Sequence, residues 1–287
     1  MEIAVISGKG GTGKSSISAA LATIAGPVVL ADCDVDAANL YILFEPTHEE
    51  ETVYIGAQNA VINYDLCLNC GICADYCRFD AINFVGNRIT VQETSCDGCR
   101  LCSRICPVEA ITMVDSDRSR IYSGTFRNGK MVYGRLAPGE ENSGKMVNIV
   151  RDKAKELAKE HHIETIIIDG PPGIGCPVIS TITGVDKVVI VTEPSISGLK
   201  DLERTLETVS KFNLKACVLI NKFDLNEEMA NRIINFCSDS DIPVLGKLPF
   251  DKIVVDAMSV RKSVIENAPD SELSMEIKKI QKKLIPN

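Results

Sequence analysis

Eight of the twelve cysteines fall into two copies of one spacing. The first is Cys67-x2-Cys70-x2-Cys73-x3-Cys77, and the second is Cys96-x2-Cys99-x2-Cys102-x3-Cys106, followed by Pro107. Each cysteine of the second copy lies 29 residues after its counterpart, so the pattern is an internal repeat. Three thiolates on one short loop can wrap an iron–sulfur cubane, and the fourth ligand comes from the far end of the other copy. The spacing predicts two [4Fe–4S] clusters, one held by Cys67, Cys70, Cys73 and Cys106, the other by Cys96, Cys99, Cys102 and Cys77. Structural zinc also takes four thiolates, but its sites usually pair two knuckles rather than interlock two triplets. Arg78 stands where the second copy has Pro107, which alters local packing and removes no ligand.

A second chemistry is written at the N-terminus. Residues 2–6 read as a buried strand, and Gly8-Lys9-Gly10-Gly11-Thr12-Gly13-Lys14-Ser15 follows, ahead of an Ala/Ser/Leu-rich helix. This is G-x-x-x-x-G-K-[ST] between a strand and a helix, the setting in which glycine-rich backbone N–H groups cradle phosphates. Lys14 is expected on the β- and γ-phosphates and the Ser15 hydroxyl on Mg²⁺.

The additional Lys9 makes the loop resemble the deviant Walker A of the family that includes MinD, ParA, the nitrogenase iron protein and Mrp-type scaffolds. That resemblance implies an ATPase in which Lys9 reaches the phosphates of a partner subunit, with Ser16 also at the nucleotide. It implies a switch I in Asp32-Cys33-Asp34-Val35-Asp36, where Asp34 orients the attacking water, and Asp36 reads as a helix cap. Asp169-Gly170-Pro171-Pro172-Gly173 resembles switch II, with Asp169 on Mg²⁺. Asn221 is similar to the adenine-reading position, and Pro249-Phe250-Asp251 to the segment that packs the purine, so Pro249 and Asp251 join the nucleotide set. Asn221-Lys222-x-Asp224 has the form of a guanine-reading N-K-x-D, but the lysine-bearing loop favours ATP. Cys176 lies seven residues after Asp169, the offset of a cluster ligand in the nitrogenase iron protein. It is a candidate interface thiol, with a plain helix-start cysteine as the alternative.

The elements that must position these groups alternate between apolar strands and helices, which predicts an α/β fold with a mostly parallel, doubly wound sheet. The ATPase pattern is split into residues 1–57 and 116–287, and residues 58–115 form an inserted domain with the cysteine spacing of a bacterial-type 2[4Fe–4S] ferredoxin. The insert is too small for a core of its own, so clusters would act as its staples. Residues 116–147 are polar, with a hairpin turn expected at Arg127-Asn128-Gly129-Lys130. A helix is expected over 145–161, with Met146, Ile149, Val150, Ala154 and Leu157 on one stripe. The segments G-E-E-N-S-G-K (139–145), G-P-P-G-I-G-C-P (170–177) and T-E-P-S-x-S-G-L-K-D-L (192–202) resemble the MinD-superfamily ATPases that carry an inserted ferredoxin domain, over nearly the whole chain.

Composition sets the limits. The net charge is −8, and residues 58–115 hold four Arg against seven Asp or Glu, which argues against nonspecific nucleic-acid binding. No run of about 18 apolar residues is present, so membrane association is not expected. The tail places Leu273, Ile277, Ile280 and Leu284 at helical spacing, a face expected to dock on the ATPase domain rather than on a bilayer. Cysteines used for metal rather than for disulfides imply a reducing compartment, read as the cytoplasm. Cys33, Cys217 and Cys237 read as core residues, and His161 and His162 as surface residues at a helix end.

Together these readings predict a Mg²⁺-dependent ATPase that works as a homodimer or with a paralogue. It would couple ATP binding and hydrolysis to electron transfer or to metallocluster maturation, with a donor, acceptor or client protein as partner. The alternative is a ParA/MinD-type positioning or regulatory ATPase whose clusters are structural.

Overall fold

A computed structural model describes residues 1–140 and 143–285. Its strands, in chain order, are β1 (Glu2–Ser7), β2 (Val28–Asp32), β3 (Glu50–Tyr54), β4 (Gln58–Ile62), β5 (Ile82–Val85), β6 (Arg88–Val91), β7 (Ile111–Asp115), β8 (Ser119–Phe126), β9 (Gly129–Arg135), β10 (Thr165–Pro172), β11 (Lys187–Thr192), β12 (Ala216–Asn221) and β13 (Val244–Leu248). The helices are α1 (Lys14–Ile24), α2 (Leu40–Phe44), α3 (Ile72–Asp75), α4 (Leu101–Ile105), α5 (Ser143–Glu160), α6 (Cys176–Ile182), α7 (Ile196–Ser210), α8 (Glu227–Asp239), α9 (Ile253–Ser259), α10 (Val264–Asn267) and α11 (Glu272–Leu284).

Nine strands form one sheet in the order β13-β12-β11-β1-β10-β2-β9-β8-β3. It is parallel from β13 to β9, and β8 and β3 add an antiparallel edge. Successive side chains of a strand face opposite sides, so the near-continuous apolar runs feed two cores. Ala4, Ile6, Ile166, Ile168, Val188 and Ile190 face the layer of α5 and its neighbours. Ile3, Val5, Ile167, Val189 and Val191 face α1 and α11. Leu273, Ile277, Ile280 and Leu284 are buried in that second core, so the C-terminal helix docks on the sheet as expected.

Two local expectations change. In α5, Ile149 is exposed and Val147 is buried beside Met146, Val150, Ala154 and Leu157. The helix covers both the sheet and α6, so its apolar stripe is rotated toward Val147. Asp36 is exposed and caps nothing; α2 starts only at Leu40, and the Asn39 and Leu40 N–H groups donate to Asp32 Oδ2 (3.1 Å each). The turn at Arg127-Asn128 does join β8 to β9, whose parallel pairing with β2 extends the sheet. Of the G-E-E-N-S-G-K segment, Glu141 and Asn142 lie outside the described residues.

Between β3 and β8 the chain builds a separate small unit. Strands β4 and β7 pair antiparallel from Gln58↔Asp115 to Ile62↔Ile111, and β5 pairs with β6. Its core is thin: Ala60, Ile62, Ala81, Ile82, Ile89 and Ile111, with Cys73 and Cys96.

Candidate functional site

The glycine-rich loop leaves the carboxyl end of β1, the middle strand of the parallel set, where the chain order reverses and open α/β sheets bind their ligands. Gly13 ends the loop at φ 87°, a left-handed conformation that suits glycine, and a Cβ there would lie 2.4 Å from Asn221 Nδ2. Helix α1 begins at the next residue, so its N-terminal N–H groups face the cradle.

Carboxylates from two neighbouring strands converge on this helix start. Asp169, fully buried on β10, accepts from Lys14 Nζ (3.2 Å), Ser15 Oγ (2.7 Å) and Ser18 Oγ (2.7 Å). Asp34 Oδ2 lies 3.8 Å from Lys14 Nζ. Burial pulls the Lys14 ammonium down, but Asp169, Asp34 and Asp32 together hold it above its ordinary value. Burial, reinforced by the Asp169 charge, pushes Asp32 up to about 7. Burial also raises Asp34, with Lys14 opposing. The Thr12 hydroxyl is buried with no partner among the described residues, as a group in a phosphate cradle would be before phosphate arrives. The residues present therefore fit Mg²⁺ and a nucleotide.

Lys9 is tied to its own chain. Its Nζ pairs with Glu193 Oε1 (2.5 Å) and donates to Ser195 Oγ (3.3 Å) and Ser197 Oγ (3.1 Å). Glu193 also faces Lys222 at 3.6 Å. Beside the loop, a cavity of about 220 Å³ is lined by Gly13, Ser16, Asn221, Pro249, Phe250, Asp251 and apolar residues of α9 and α11. Asn221 Nδ2 donates to the Thr12 carbonyl (2.7 Å), bracing the loop. Asp224 accepts the Phe250 N–H (2.6 Å), so it shapes the base pocket.

The structure brings together Lys14, Ser15, Asp34 and Asp169, and places Ser16, Asn221, Pro249 and Asp251 around one cavity. Sequence reasoning missed Asp32, Ser18 and Glu193. Asp32 carried a signal, the first acid of D-x-D at a strand end, and Glu193 lies in the T-E-P-S-x-S segment, from which no role was read; Ser18 is ordinary in type and spacing.

The repeated cysteines ring two cavities. One is lined by Cys67, Cys70, Cys73 and Cys106 with Ile62, Ile89 and Ile111. The other is lined by Cys77, Cys96, Cys99 and Cys102, with Cys73 between them. The four cysteines expected for each cluster line one cavity, and Cys73 borders both. Among the described residues no group of three or more Cys, His, Asp or Glu converges as a single-ion site. A four-iron cubane asks for less convergence, because each thiolate binds a different iron. Burial pushes Cys102 up to about 11 and raises Cys73. Cys176 is exposed at the start of α6, and its Cβ and carbonyl carbon lie 3.4 Å from where a Gly144 Cβ would stand. Cys33, Cys217 and Cys237 are buried, and His161 and His162 are exposed. Among the described residues no helix is long and apolar enough to cross a membrane.

An uncharacterized protein of Methanocaldococcus jannaschii is 35% identical over 99% of this chain and 96% of its own length. The septum site-determining protein MinD of Thermotoga maritima is 25% identical over 77% of this chain and 64% of its own. The MinD of Pyrococcus horikoshii complexed with Mg-ADP shares the fold, with a TM-score of 0.58 at 19% identity over 99% of this chain and 96% of that one. These likenesses favour the MinD/ParA-type reading over the redox-coupled one that heads the sequence expectation. The CobQ/CobB/MinD/ParA nucleotide binding domain model matches residues 3–264, and the chain belongs to that family.

Proposed function

We propose that this chain is a Mg²⁺-ATP-dependent switch of the MinD/ParA type, and that residues 58–115 are an inserted ferredoxin-like domain holding two [4Fe–4S] clusters. The observation that carries the first half is the Lys14–Ser15–Asp169 set at the start of α1, facing an unpartnered Thr12 hydroxyl. Lys14 would meet the β- and γ-phosphates, and Ser15 with Asp169 would hold Mg²⁺, which offsets phosphate charge when bound. Asp34, on a loop beside Lys14, would orient water. Asn221, Pro249 and Asp251 would enclose the base, and Asp224 is already engaged, which favours adenine over guanine. Lys9 would exchange Glu193 for the phosphates of a second copy, making the ATP-bound form a dimer.

The second half rests on the two cysteine-lined cavities with their crossed fourth ligands. Cys67, Cys70, Cys73 and Cys106 would hold one cluster, and Cys77, Cys96, Cys99 and Cys102 the other. In the leading reading the clusters staple the insert and the protein works as a positioning or regulatory ATPase. Exposed Cys70 and Cys99 favour a second reading, in which the clusters also carry electrons for a partner or a maturation client.

Protein purified without oxygen should contain about eight iron and eight sulfide per chain. Wild type should hydrolyse ATP, Lys14→Ala should lose nucleotide binding, and Asp34→Ala should bind ATP without turnover. Lys9→Ala should bind ATP as a monomer. Stoichiometric zinc with no reducible iron would remove the cluster half; wild-type turnover in Lys14→Ala would remove the ATPase half.

A further inference from the structure

We infer that the end of residues 58–115 farthest from the ATPase sheet is the docking face for a positively charged redox protein, which exchanges electrons through Cys70. This rests on the two-cluster reading above. The geometry ranks the two cavities by distance from the sheet. The β4–β7 ribbon leaves the sheet at Gln58↔Asp115 and ends at Ile62↔Ile111. The second cysteine loop lies at the near end: a Cβ on Gly98 would sit 2.5 Å from the Gln58 carbonyl. The cavity of Cys67, Cys70, Cys73 and Cys106 is lined by Ile62, Ala110 and Ile111, at the far end.

That far end is apolar and open. Leu68 lines the cavity and is 68% exposed, while Leu66, Phe84 and Val85 are 50%, 52% and 67% exposed. Phe84 reaches the same loop: its ring lies 3.4 Å from where a Gly71 Cβ would stand. Tyr64 lies under the Arg88 guanidinium, 3.4 Å from ring centroid to Cζ. Exposed aromatic and aliphatic side chains at that end form the apolar centre of an interface.

Charge selects the occupant. Residues 58–115 carry seven Asp or Glu, four Arg and no Lys, and all seven acids are exposed. A four-iron core ligated by four thiolates adds further negative charge. A second copy of this chain is expected at the nucleotide face through Lys9 instead, and the excess of acids in the insert repels an anionic bilayer. A partner with a lysine-rich rim around an apolar contact is attracted. The exposed Cys70 at the centre makes the exchange a redox one: the reduced cluster gives up one electron, and the partner's centre gains it.

Lysine-rich cytochrome c is a suitable probe. The full-length, cluster-loaded protein is mixed with ferric cytochrome c, and binding is measured at low and high salt. Electron transfer to the haem is followed separately after reduction of the clusters with dithionite. Binding should weaken as salt rises. Leu68→Gln and Val85→Gln, which change no charge, should each weaken it about tenfold. Val85→Gln should keep wild-type iron content, cluster EPR signals and reduction of methyl viologen; Leu68 lines the cluster cavity, so Leu68→Gln is compared only as iron-replete protein. Val85 lies at the β5–β6 turn, away from the cysteines, so at least that variant keeps its clusters. Phe79→Gln, beside the near cavity, should bind cytochrome c as wild type does. Iron-replete Leu68→Gln and Val85→Gln proteins that bind as wild type does overturn the docking face alone. So does binding that is insensitive to salt, or a loss confined to Phe79→Gln. A wild-type preparation that takes up no iron overturns the cluster reading and this inference with it.

Discussion

The sheet and the inserted unit are stabilised by different means. The sheet buries apolar side chains on both faces, in two large cores. The unit of 58–115 has six aliphatic core residues and two buried cysteines, and many of its large apolar side chains face solvent. Apolar burial stabilises a fold by about 25 cal/mol per Å², so the sheet can form its nucleotide site from its own packing. The insert has too small a core to do the same, and on the cluster reading proposed above it would depend on what its cysteines hold. One region would be preorganised for its ligand, and the other organised by it.

The strongest test of that contrast is to remove metal. Chelation of reduced protein should abolish slow hydrogen exchange across residues 58–115 and leave β1 and β10 protected. An insert that stays protected without metal would end the comparison, because its fold would then support itself.

Next in size is a charge taken from the preformed site. Lys14→Ala leaves the Asp169, Asp34 and Asp32 carboxylates without their buried cation and should cost about 3–5 kcal/mol, read from the urea midpoint. The loss should shrink as pH falls, because protonated carboxylates need no partner. A cost that stays constant with pH would mean that Lys14 acts through packing.

The junction between the regions should give an intermediate effect. The Glu140 side chain is buried and accepts from Ser116 and Ser119, where the chain leaves the insert. Glu140→Ala should cost about 1–3 kcal/mol by leaving the protons of both hydroxyls without their acceptor. Exchange should speed up first around Ser116–Ser119, which would show whether the insert is anchored there.

The smallest effect belongs to the open edge of the sheet. Lys130, Thr125 and Thr47 hold the Glu49 carboxyl down to about 2. A depressed folded pKa stabilises above the unfolded value and is lost as pH falls, here from about 4.5 toward 2. Glu49→Gln should therefore lower stability by less than about 1 kcal/mol at neutral pH and make the acid limb shallower. Thermal melts across that range measure it.

Strong local patterns were legible. The P-loop, the apolar strands of 187–192 and 216–221, and the C-terminal helix all lie where periodicity and motif put them. Features set by long-range packing were not. That Asp32 would cap α2 depends on β2 being buried between β10 and β9, far apart in sequence. That Glu193 would receive Lys9 depends on β11 lying next to β1. Ile149 matched helical spacing, but the stripe is chosen by the neighbour it meets, and no sequence window contains α6. The hairpin after residue 116 was legible from its turn, but that β9 would pair in parallel with β2 and extend the sheet was not, because that partner lies about 100 residues away.

One residue of the connecting segment has a consequence for sequence drift. Gly139 sits at φ 80°, and a Cβ on it would lie 2.1 Å from the Thr94 carbonyl of the insert. A single methyl group there acts as a wedge between the two regions, at a backbone angle that already disfavours it. Position 139 can change only if the backbone around Thr94 shifts with it, so across descendants of this chain the two should be inherited as a pair.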